Sequence, residues 1–361
     1  MTLVKNDVLL YERAFIKPFS KSGDIYRMPG SNPTIYDVAS AAGVSISTVS
    51  RVLNTHKAVN DATRARVLSA IESLGYFPKA EARVRALKET RRIGVITPSF
   101  TAPSFVQRLR GIASALAPNN YELVIYTVDS TERVREYLET LPFLSHHLDG
   151  LILISLDFKD DLAAKLIKFG LETVLIEYPQ RLLSSVEIDD ISGGRMGTEY
   201  LIKKGYRNIA FTGDFALPEY GVRSIANRLA GFKIAMAEAG IQTPDEYIRP
   251  IPFDIESTRQ QIRDLLSMTK RPDAIFAATD IQAMGVLKAA RDKGMKVPDD
   301  LAVIGFDDLD MADYIDLTTI RQHLDESGRI AVELLLSRLA DSRRPVQHVH
   351  LPLEIVERLT A

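Results

Sequence analysis

The sequence predicts an α/β protein in which a small three-helix module precedes a larger core of parallel sheets covered by helices. Two observations predict this class. From Ile93 onward, short runs rich in Val and Ile alternate with stretches of helical length, the pattern of βαβ units. Before them, residues 34–75 carry closely spaced helix-start and helix-stop signals. A length of 361 residues with 46% hydrophobic content suits two or three domains.

Three short helices are predicted in the N-terminal module. Thr34 and Asp37 have the spacing of a capping box, and Gly43 is placed to end the first helix. Ser45 and Asn60 are suited to begin the second and third helices. The apolar residues at helical spacing are Ile35, Val38, Ala39, Ala42, Val49, Val52, Leu53, Val67, Ile71 and Leu74. They form a minimal core only if the helices pack tightly.

The core strands are predicted from seven apolar runs: RIGVIT, ELVIYT, GLILIS, TVLIEY, NIAFTG, AIFAAT and LAVIGF. So many parallel strands suit two sheets better than one. Ligands of open α/β folds bind beyond the carboxyl ends of the strands. The polar residues at these ends outline a cleft: Thr97, Tyr178, Thr279, Asp280, Asp307 and Asp308.

The composition and motifs exclude several kinds of site. The chain has no cysteine, which rules out disulfides and thiolate metal sites. His348 and His350 alternate on one predicted strand, but two imidazoles without a third ligand do not predict a metal site. The glycines of ISGGRMG, residues 191–197, do not match a phosphate-binding loop and are expected to pack at a helix start. We therefore expect no metal and no cofactor.

Charge is distributed unevenly along the chain. Residues 31–92 contain ten Lys or Arg and five Asp or Glu, whereas the whole chain has a net charge of −2. A basic module joined to an acidic body is typical of a protein that binds a polyanion with one part only. No apolar run approaches the ~20 residues that cross a bilayer, and residues 1–20 lack a signal-peptide cleavage pattern. We expect a cytoplasmic protein that does not enter the membrane.

The stretch GVSISTVSRVLN, residues 43–54, carries small hydroxyl residues where a surface helix normally carries Glu and Lys. The second helix of a helix-turn-helix enters the major groove of DNA, where short side chains allow close approach and Ser or Thr can bond bases or phosphates. The preceding TIYDVASAAG supplies a first helix at the correct spacing. The alternative is an ordinary solvated amphipathic helix, which the basic stretch downstream disfavours.

The segments TIYDVASAAGVSISTVSRVLN and VNDATRARVLSAIESLGYFP resemble the DNA-binding headpiece of the lactose-repressor (LacI/GalR) family of bacterial transcription regulators. The resemblance continues through RRIGVITPSF, RLAGFKIAMAEAGI, AATDIQAMGVLKAARDKGMKVPDDLAVIGFDD and LTTIRQ. The family implies a three-helix helix-turn-helix headpiece and a two-subdomain, periplasmic-binding-protein-like core with parallel sheets.

Domain boundaries follow from the resemblance and from the pattern of elements. We predict a disordered extension over 1–33, a headpiece over 34–77, a hinge linker over 78–92, a first core subdomain over 93–190 and 321–342, and a second over 191–320 and 343–361.

The family implies DNA contacts at matching positions. Ile46 and Ser47 match the base-reading pair, from which we expect an apolar contact with a thymine methyl and one hydrogen bond. Contacts to bases or phosphates are implied for Thr48, Ser50, Arg51 and Asn54, and backbone-positioning contacts for Thr34 and Tyr36.

The linker matches a segment that, in the family, forms a hinge helix on operator DNA and wedges a leucine into the minor groove. Arg83 matches this segment and is an expected DNA contact. Arg85 stands at the wedge position, and Leu87 lies two residues later. Either Arg85 enters a narrow, A·T-rich groove without unstacking the bases, or the register differs and Leu87 is the wedge.

In the core, the family implies a small effector bound between the subdomains. Arg228 matches an arginine that binds a polar effector group, and Asp307 an aspartate that accepts from effector hydroxyls or amines. Further effector contacts are implied for Phe105, Phe253, Thr279 and Asp280.

We predict a DNA-binding repressor of transcription that binds a pseudo-palindromic site on double-stranded operator DNA as a homodimer. A small effector, a sugar, polyol or nucleoside, is expected to switch it. A transport solute-binding protein would share the core fold but would carry a secretion signal and no headpiece. An α/β enzyme is a third alternative, and no motif in the sequence indicates one.

Overall fold

The computed structural model describes residues 33–54, 59–74, 90–139, 147–157, 160–215 and 221–361. The chain divides into two compact units, residues 1–87 and residues 88–361. Nearly all of the predicted extension and of the predicted hinge linker lies outside the described residues. None of the described helices is long and apolar enough to span a membrane.

Three helices form the described part of the first unit: α1, Ile35–Ala42; α2, Ile46–Asn54; and α3, Asp61–Leu74. The capping box of α1 is present, since the Thr34 N–H donates to Asp37 Oδ2 at 2.7 Å. Gly43 has a φ of 61°, a left-handed conformation that suits glycine, and it ends α1 as predicted.

The second and third helices also begin at the predicted residues. The Thr48 N–H donates to Ser45 Oγ at 3.2 Å, and the Thr63 N–H donates to Asn60 Oδ1 at 2.8 Å. The side chains buried between the helices are Val38, Ala39, Ala42, Val49, Val52, Val67 and Ala70. This packing confirms the predicted three-helix module.

The elements of the second unit alternate between strands and helices. Strands β1 to β12 are Arg92–Pro98, Glu122–Val128, Gly150–Ile154, Glu172–Ile176, Ser184–Glu187, Ile209–Gly213, Ile248–Pro250, Ala274–Ala277, Ala302–Asp307, Thr318–Arg321, His348–His350 and Glu354–Val356. Helices α4 to α12 are Pro103–Leu116, Thr131–Glu139, Asp160–Lys168, Asp190–Lys203, Ser224–Glu238, Ile255–Leu265, Asp280–Asp292, Asp310–Tyr314 and Leu324–Ala340. Two 3₁₀ turns are Ala117–Asn119 and Asp245–Tyr247.

The strands form two sheets, as predicted. The first has the order β11-β5-β4-β3-β1-β2, and the second has the order β12-β10-β9-β8-β6-β7. All pairs are parallel except β10 with β12, which are antiparallel. Every residue of β3 and β9 is buried because helices cover both faces of a parallel sheet. The predicted α/β class is confirmed.

The chain passes from one sheet to the other after β5, after β10 and again between β11 and β12. The assignment of all of residues 343–361 to the second subdomain is wrong for β11, which belongs to the first sheet. Val349 pairs with Val186 of β5 and packs against the core of that sheet. A three-residue strand has no periodicity of its own, so its pairing partner decides its sheet.

Helices α7 and α8 approach each other closely through glycines. A Cβ at Gly194 would lie 2.0 Å from the Arg228 carbonyl oxygen, and a Cβ at Gly231 would lie 2.0 Å from the Ile191 carbonyl oxygen. The glycines of residues 191–197 therefore serve helix packing, in agreement with their predicted role. They also position the backbone of Arg228.

We expect Gly194→Ala to lower the free energy of unfolding by about 1–3 kcal/mol, because the added methyl must push α7 away from α8. Urea denaturation of the variant and of the unchanged protein measures this difference. Lys203→Ala, on the exposed face of the same helix, is the control and should stay within about 0.5 kcal/mol. An unchanged midpoint for Gly194→Ala would contradict the close contact.

Candidate functional site

The exposed surface of α2 carries an apolar side chain beside a cluster of hydroxyls. Ile46 is 40% exposed. The Ser45 hydroxyl lies 2.8 Å from Ser47 Oγ and 2.9 Å from Thr48 Oγ1. These contacts hold three short polar groups together at the start of the helix. Hydroxyls both donate and accept, so this surface can bond base edges or phosphates.

A groove of about 380 Å³ lies beside these hydroxyls and is lined by Val44, Ser45, Thr48, Arg51, Val59, Asn60, Thr63 and Arg66. Two guanidinium groups therefore flank the hydroxyl cluster, a combination that suits a phosphate backbone. The Arg66 Nη2 donates to Thr63 Oγ1 at 3.5 Å. Sequence reasoning did not single out Thr63 and Arg66, although Arg66 contributes to the basic charge of the module.

The structure brings most of the predicted DNA-binding residues onto one small unit. Tyr36 is 65% exposed on α1. The Thr34 hydroxyl is engaged within its own helix start, where it donates to Asp37 Oδ2 at 2.8 Å. Thr48 and Ser50 are partly buried and Arg51 is exposed on α2, which ends at Asn54. Arg83, Arg85 and Leu87 lie outside the described residues, and the choice of wedge residue stays a prediction.

In the second unit, strained backbone marks the carboxyl ends of the strands. Ser155 follows β3 with a φ of 55°, Glu177 follows β4 with a φ of 71°, and Asp307 ends β9 with a φ of 130°. Non-glycine residues rarely adopt positive φ, and such residues concentrate at ligand sites. Asp307 is one of the strand-end residues that the sequence outlined as a cleft edge, and Ser155 and Glu177 add two strand ends of the first sheet.

Arg228 is held by several groups near Asp307. Its Nε donates to Asp190 Oδ1 at 2.8 Å, and its Nη1 donates to the Ala278 carbonyl at 2.7 Å. The guanidinium carbon lies 3.6 Å from the centre of the Phe306 ring, a cation–π contact. The Arg228 Nη1 lies 3.8 Å from Asp307 Oδ1. Two residues predicted to bind the effector are thus brought together.

A second charged pair reaches Asp307 from the first subdomain. The Arg108 Nη2 donates to Glu177 Oε1 and, at 3.0 Å, to Gln322 Oε1. The Gln322 amide donates in turn to Asp307 Oδ1. The Ser155 hydroxyl donates to Glu177 Oε2. Charged groups from both sheets are therefore linked through one glutamine.

Burial changes the proton affinity of the cleft carboxylates. Burial raises the pKa of Asp307 to about 6, although the nearby Arg228 and Arg108 act in the opposite direction. Burial, followed by repulsion from Asp307, raises the pKa of Asp280 to about 8. Burial also raises the pKa of Asp190.

The other predicted effector residues have different surroundings. Asp280 accepts from the Thr319 hydroxyl at 2.5 Å and from the Leu309 N–H at 2.8 Å, so both of its oxygens have protein donors. Thr279 caps α10 by accepting from the Gln282 N–H. Phe105 lies beside Arg108, whose guanidinium carbon is 6.0 Å from the ring centre, and Phe253 is exposed before α9. Effector contacts by these four residues stay predictions.

Sequence reasoning missed Arg108, Glu177 and Gln322. One signal was available for Arg108, which shares the buried face of α4 with Ile112 and Leu116 at four-residue spacing. An arginine at a core position of a helix indicates a buried partner. Glu177 is a charged residue in the apolar run TVLIEY, and it too indicates a buried partner. The sequence separation between Glu177 and α4 does not reveal that this partner is Arg108.

The raised pKa of Asp280 predicts how stability depends on pH. Between its ordinary value near 3.8 and the folded value near 8, the folded chain holds a proton that the unfolded chain has lost. Asp280 therefore stabilises the fold at low pH, and this contribution is lost as pH rises through about 8. Thermal melts from pH 5 to 9 should show a smaller decline for Asp280→Asn than for the unchanged protein.

Asp254→Asn is the control, because helix-capping hydrogen bonds from Ser257 lower the pKa of this exposed carboxyl. Its contribution is lost only as pH falls, and so it should leave the decline above pH 5 unchanged. Equal declines in the Asp280 variant and the unchanged protein would contradict a buried proton at Asp280.

Two family descriptions match the chain. "Bacterial regulatory proteins, lacI family" matches residues 34–79, and "Periplasmic binding protein-like domain" matches residues 198–361. The ribose operon repressor of Escherichia coli strain K12 is 35% identical over 335 residues, covering 91% of this chain and 99% of that protein.

Solved structures give the same result. The lac repressor dimer bound to operator and the anti-inducer ONPF matches with a TM-score of 0.75 and 28% identity, covering 91% of this chain and 99% of that chain. A LacI family regulator from Enterococcus faecium with bound ribose matches with a TM-score of 0.65 and 28% identity, covering 74% of this chain and 98% of that chain. The resemblance drawn from the sequence is confirmed, and this chain belongs to the lacI family of bacterial regulatory proteins.

Proposed function

We propose that this regulator is a repressor that binds a pseudo-palindromic operator as a homodimer and changes its affinity for DNA when a small polyhydroxyl effector enters the core cleft. The observation that carries the proposal is the combination of two sites on one chain. One is an exposed hydroxyl and guanidinium surface on the headpiece, and the other is a buried network of charges between two subdomains.

The proposed DNA contacts follow from the α2 surface. Ile46 and Ser47 read bases, with the isoleucine against a thymine methyl and the serine forming one hydrogen bond. Arg51 and Arg66 face the same groove and contact phosphates. The operator-bound lac repressor, to which this chain is similar, supports this assignment.

The proposed effector site lies at the linked strand ends. Arg228 and Asp307 provide a guanidinium and a carboxylate acceptor from the second subdomain, a pairing that suits hydroxyl groups. The relatives named for the ribose operon and solved with ribose support a sugar. We further propose that the core binds its ligand without catalysing a reaction on it, because the relatives of this chain are repressors. We also propose that the protein acts in the cytoplasm, where the DNA that it binds lies.

The proposed dimer forms through the second subdomain. A hollow of about 840 Å³ there is lined partly by apolar side chains, among them Met284, Leu287 and Met295. Tyr314 and Leu359 stand at the same hollow and are 87% and 67% exposed. Large exposed apolar groups around one hollow indicate an interface. The similar lac repressor structure is a dimer.

Operator binding is tested with DNA from upstream of the protein's own gene. We expect retention in a gel shift at low salt and release on addition of one sugar from a panel. Arg51→Ala should weaken binding and, because each dimer loses two phosphate contacts, should reduce the slope of log affinity against log salt by about 2.

Lys233→Ala removes the same charge from an exposed position on α8 and should leave both affinity and slope unchanged. Failure to retain any upstream fragment would refute the proposed function. An unaltered salt slope in Arg51→Ala would refute only the phosphate contact.

The dimer is tested by Tyr314→Arg. A buried aromatic anchor contributes about 2 kcal/mol or more to an interface, so an arginine there should weaken dimerisation by roughly 30-fold or more. Sedimentation equilibrium measures the dissociation constant. Ile167→Arg, an equally drastic change of an exposed apolar residue on α6, should leave the dimer intact. A Tyr314 variant that stays dimeric at the same concentration would place the interface elsewhere.

A further inference from the structure

The arginine at position 108 gives the effector cleft a charge pattern that the predicted residues did not include. Arg108 is 3% exposed and lies on the buried face of α4, in line with Ile112 and Leu116 at four-residue spacing. Burying a guanidinium is costly unless it is paired, and Glu177 at the end of β4 supplies the partner. Apolar residues of similar volume often stabilise a fold as well as a buried ion pair does, so stability alone does not account for the pair.

The pairing leaves one carboxylate in surplus. Arg108 is matched by Glu177, and Arg228 is matched by Asp190 at 2.8 Å. Asp307 has no guanidinium at that distance, since Arg228 Nη1 is 3.8 Å away, and it accepts instead from the neutral amide of Gln322. Among the described cleft residues of this network, each cation is thus already neutralised by a nearer carboxylate.

A ligand entering this network meets a surplus of carboxylate acceptors and no unpaired cation. Hydroxyl groups satisfy such acceptors by donating to them. A phosphate or carboxylate on the ligand would instead add a negative charge beside Asp307 in a buried setting, where repulsion is poorly screened. Arg108 Nε adds one donor that is buried and has no hydrogen-bond partner among the described residues. A single neutral oxygen is enough to satisfy it.

We propose that the Arg108–Glu177 pair determines the specificity of the cleft, so that it accepts uncharged polyhydroxyl effectors and rejects their phosphorylated and carboxylated derivatives. This inference rests on the effector site proposed above. In it, Arg108 is a positioning residue: it neutralises Glu177 and fixes Gln322, which in turn orients Asp307. Its charge becomes available to an anionic ligand only when Glu177 is replaced by an uncharged residue.

The test measures binding of matched ligand pairs to the full chain by isothermal titration calorimetry. The probes are ribose with ribose 5-phosphate and glucose with glucose 6-phosphate, together with gluconate. The unchanged protein should bind at least one of the neutral sugars. Its affinity for the phosphorylated form of that sugar should be lower by about tenfold or more.

Two variants separate the role of Arg108 from a structural role. Glu177→Gln keeps a hydrogen-bond acceptor beside Arg108 but frees the guanidinium charge, so the affinity for the phosphorylated sugar relative to its parent should rise about tenfold. The double variant Arg108→Met/Glu177→Gln lacks the unpaired guanidinium, so the gain in relative affinity for the phosphorylated sugar should disappear. Glu333→Gln, which removes the same charge from the exposed side of α12, should leave the ratio unchanged.

Three results would overturn the proposal: binding of a phosphorylated sugar or gluconate by the unchanged protein at least as tightly as the neutral parent sugar, no gain in Glu177→Gln, or an equal gain in the double variant. Absence of binding to every probe, in protein that still retains operator DNA, would also refute it and would leave the proposed regulator intact. Loss of operator binding in the unchanged protein would instead refute the proposed function.

Discussion

One glutamine joins the charged groups on the two sides of the cleft. Gln322 lies in the segment that leads from β10 of the second sheet to α12 of the first subdomain, and its amide accepts from Arg108 and donates to Asp307. A primary amide can serve both partners because it carries a donor and an acceptor on one planar group. Each sheet is rigid, so a change in their relative position must be absorbed by crossing segments such as this one.

The headpiece and the core use polar groups in opposite ways. Ser45, Ser47 and Thr48 lie at the surface and bond mainly to one another, which leaves them free to exchange partners when another molecule arrives. Arg108 and Arg228 are buried and already paired, so any ligand must fit their existing partners. The first arrangement suits a long, hydrated polyanion, and the second suits a small ligand enclosed on all sides.

The sequence predicted the elements whose signals are local. Thr34, Gly43, Ser45 and Asn60 begin or end helices as expected, because capping depends on residues within one turn. The seven apolar runs all form strands. The short strands β5, β7, β10 and β12 were not predicted, and β11, which was predicted as a strand, joined the sheet opposite to the one expected. Strands of three or four residues are stabilised by their neighbours more than by their own composition.

The contrast between local signals in the sequence and contacts between distant residues applies to the sites as well. By itself the sequence determined the family, because its motifs recur along most of the chain. It also predicted the hydroxyl surface of α2, and the resemblance to the family implied the effector pair Arg228 and Asp307. Only the tertiary structure decided that Arg108, Glu177 and Gln322 belong to the cleft, since they are 69 and 145 positions apart along the chain. Burial makes such pairing obligatory, and which distant residue supplies the partner depends on how the strands are ordered in the sheet.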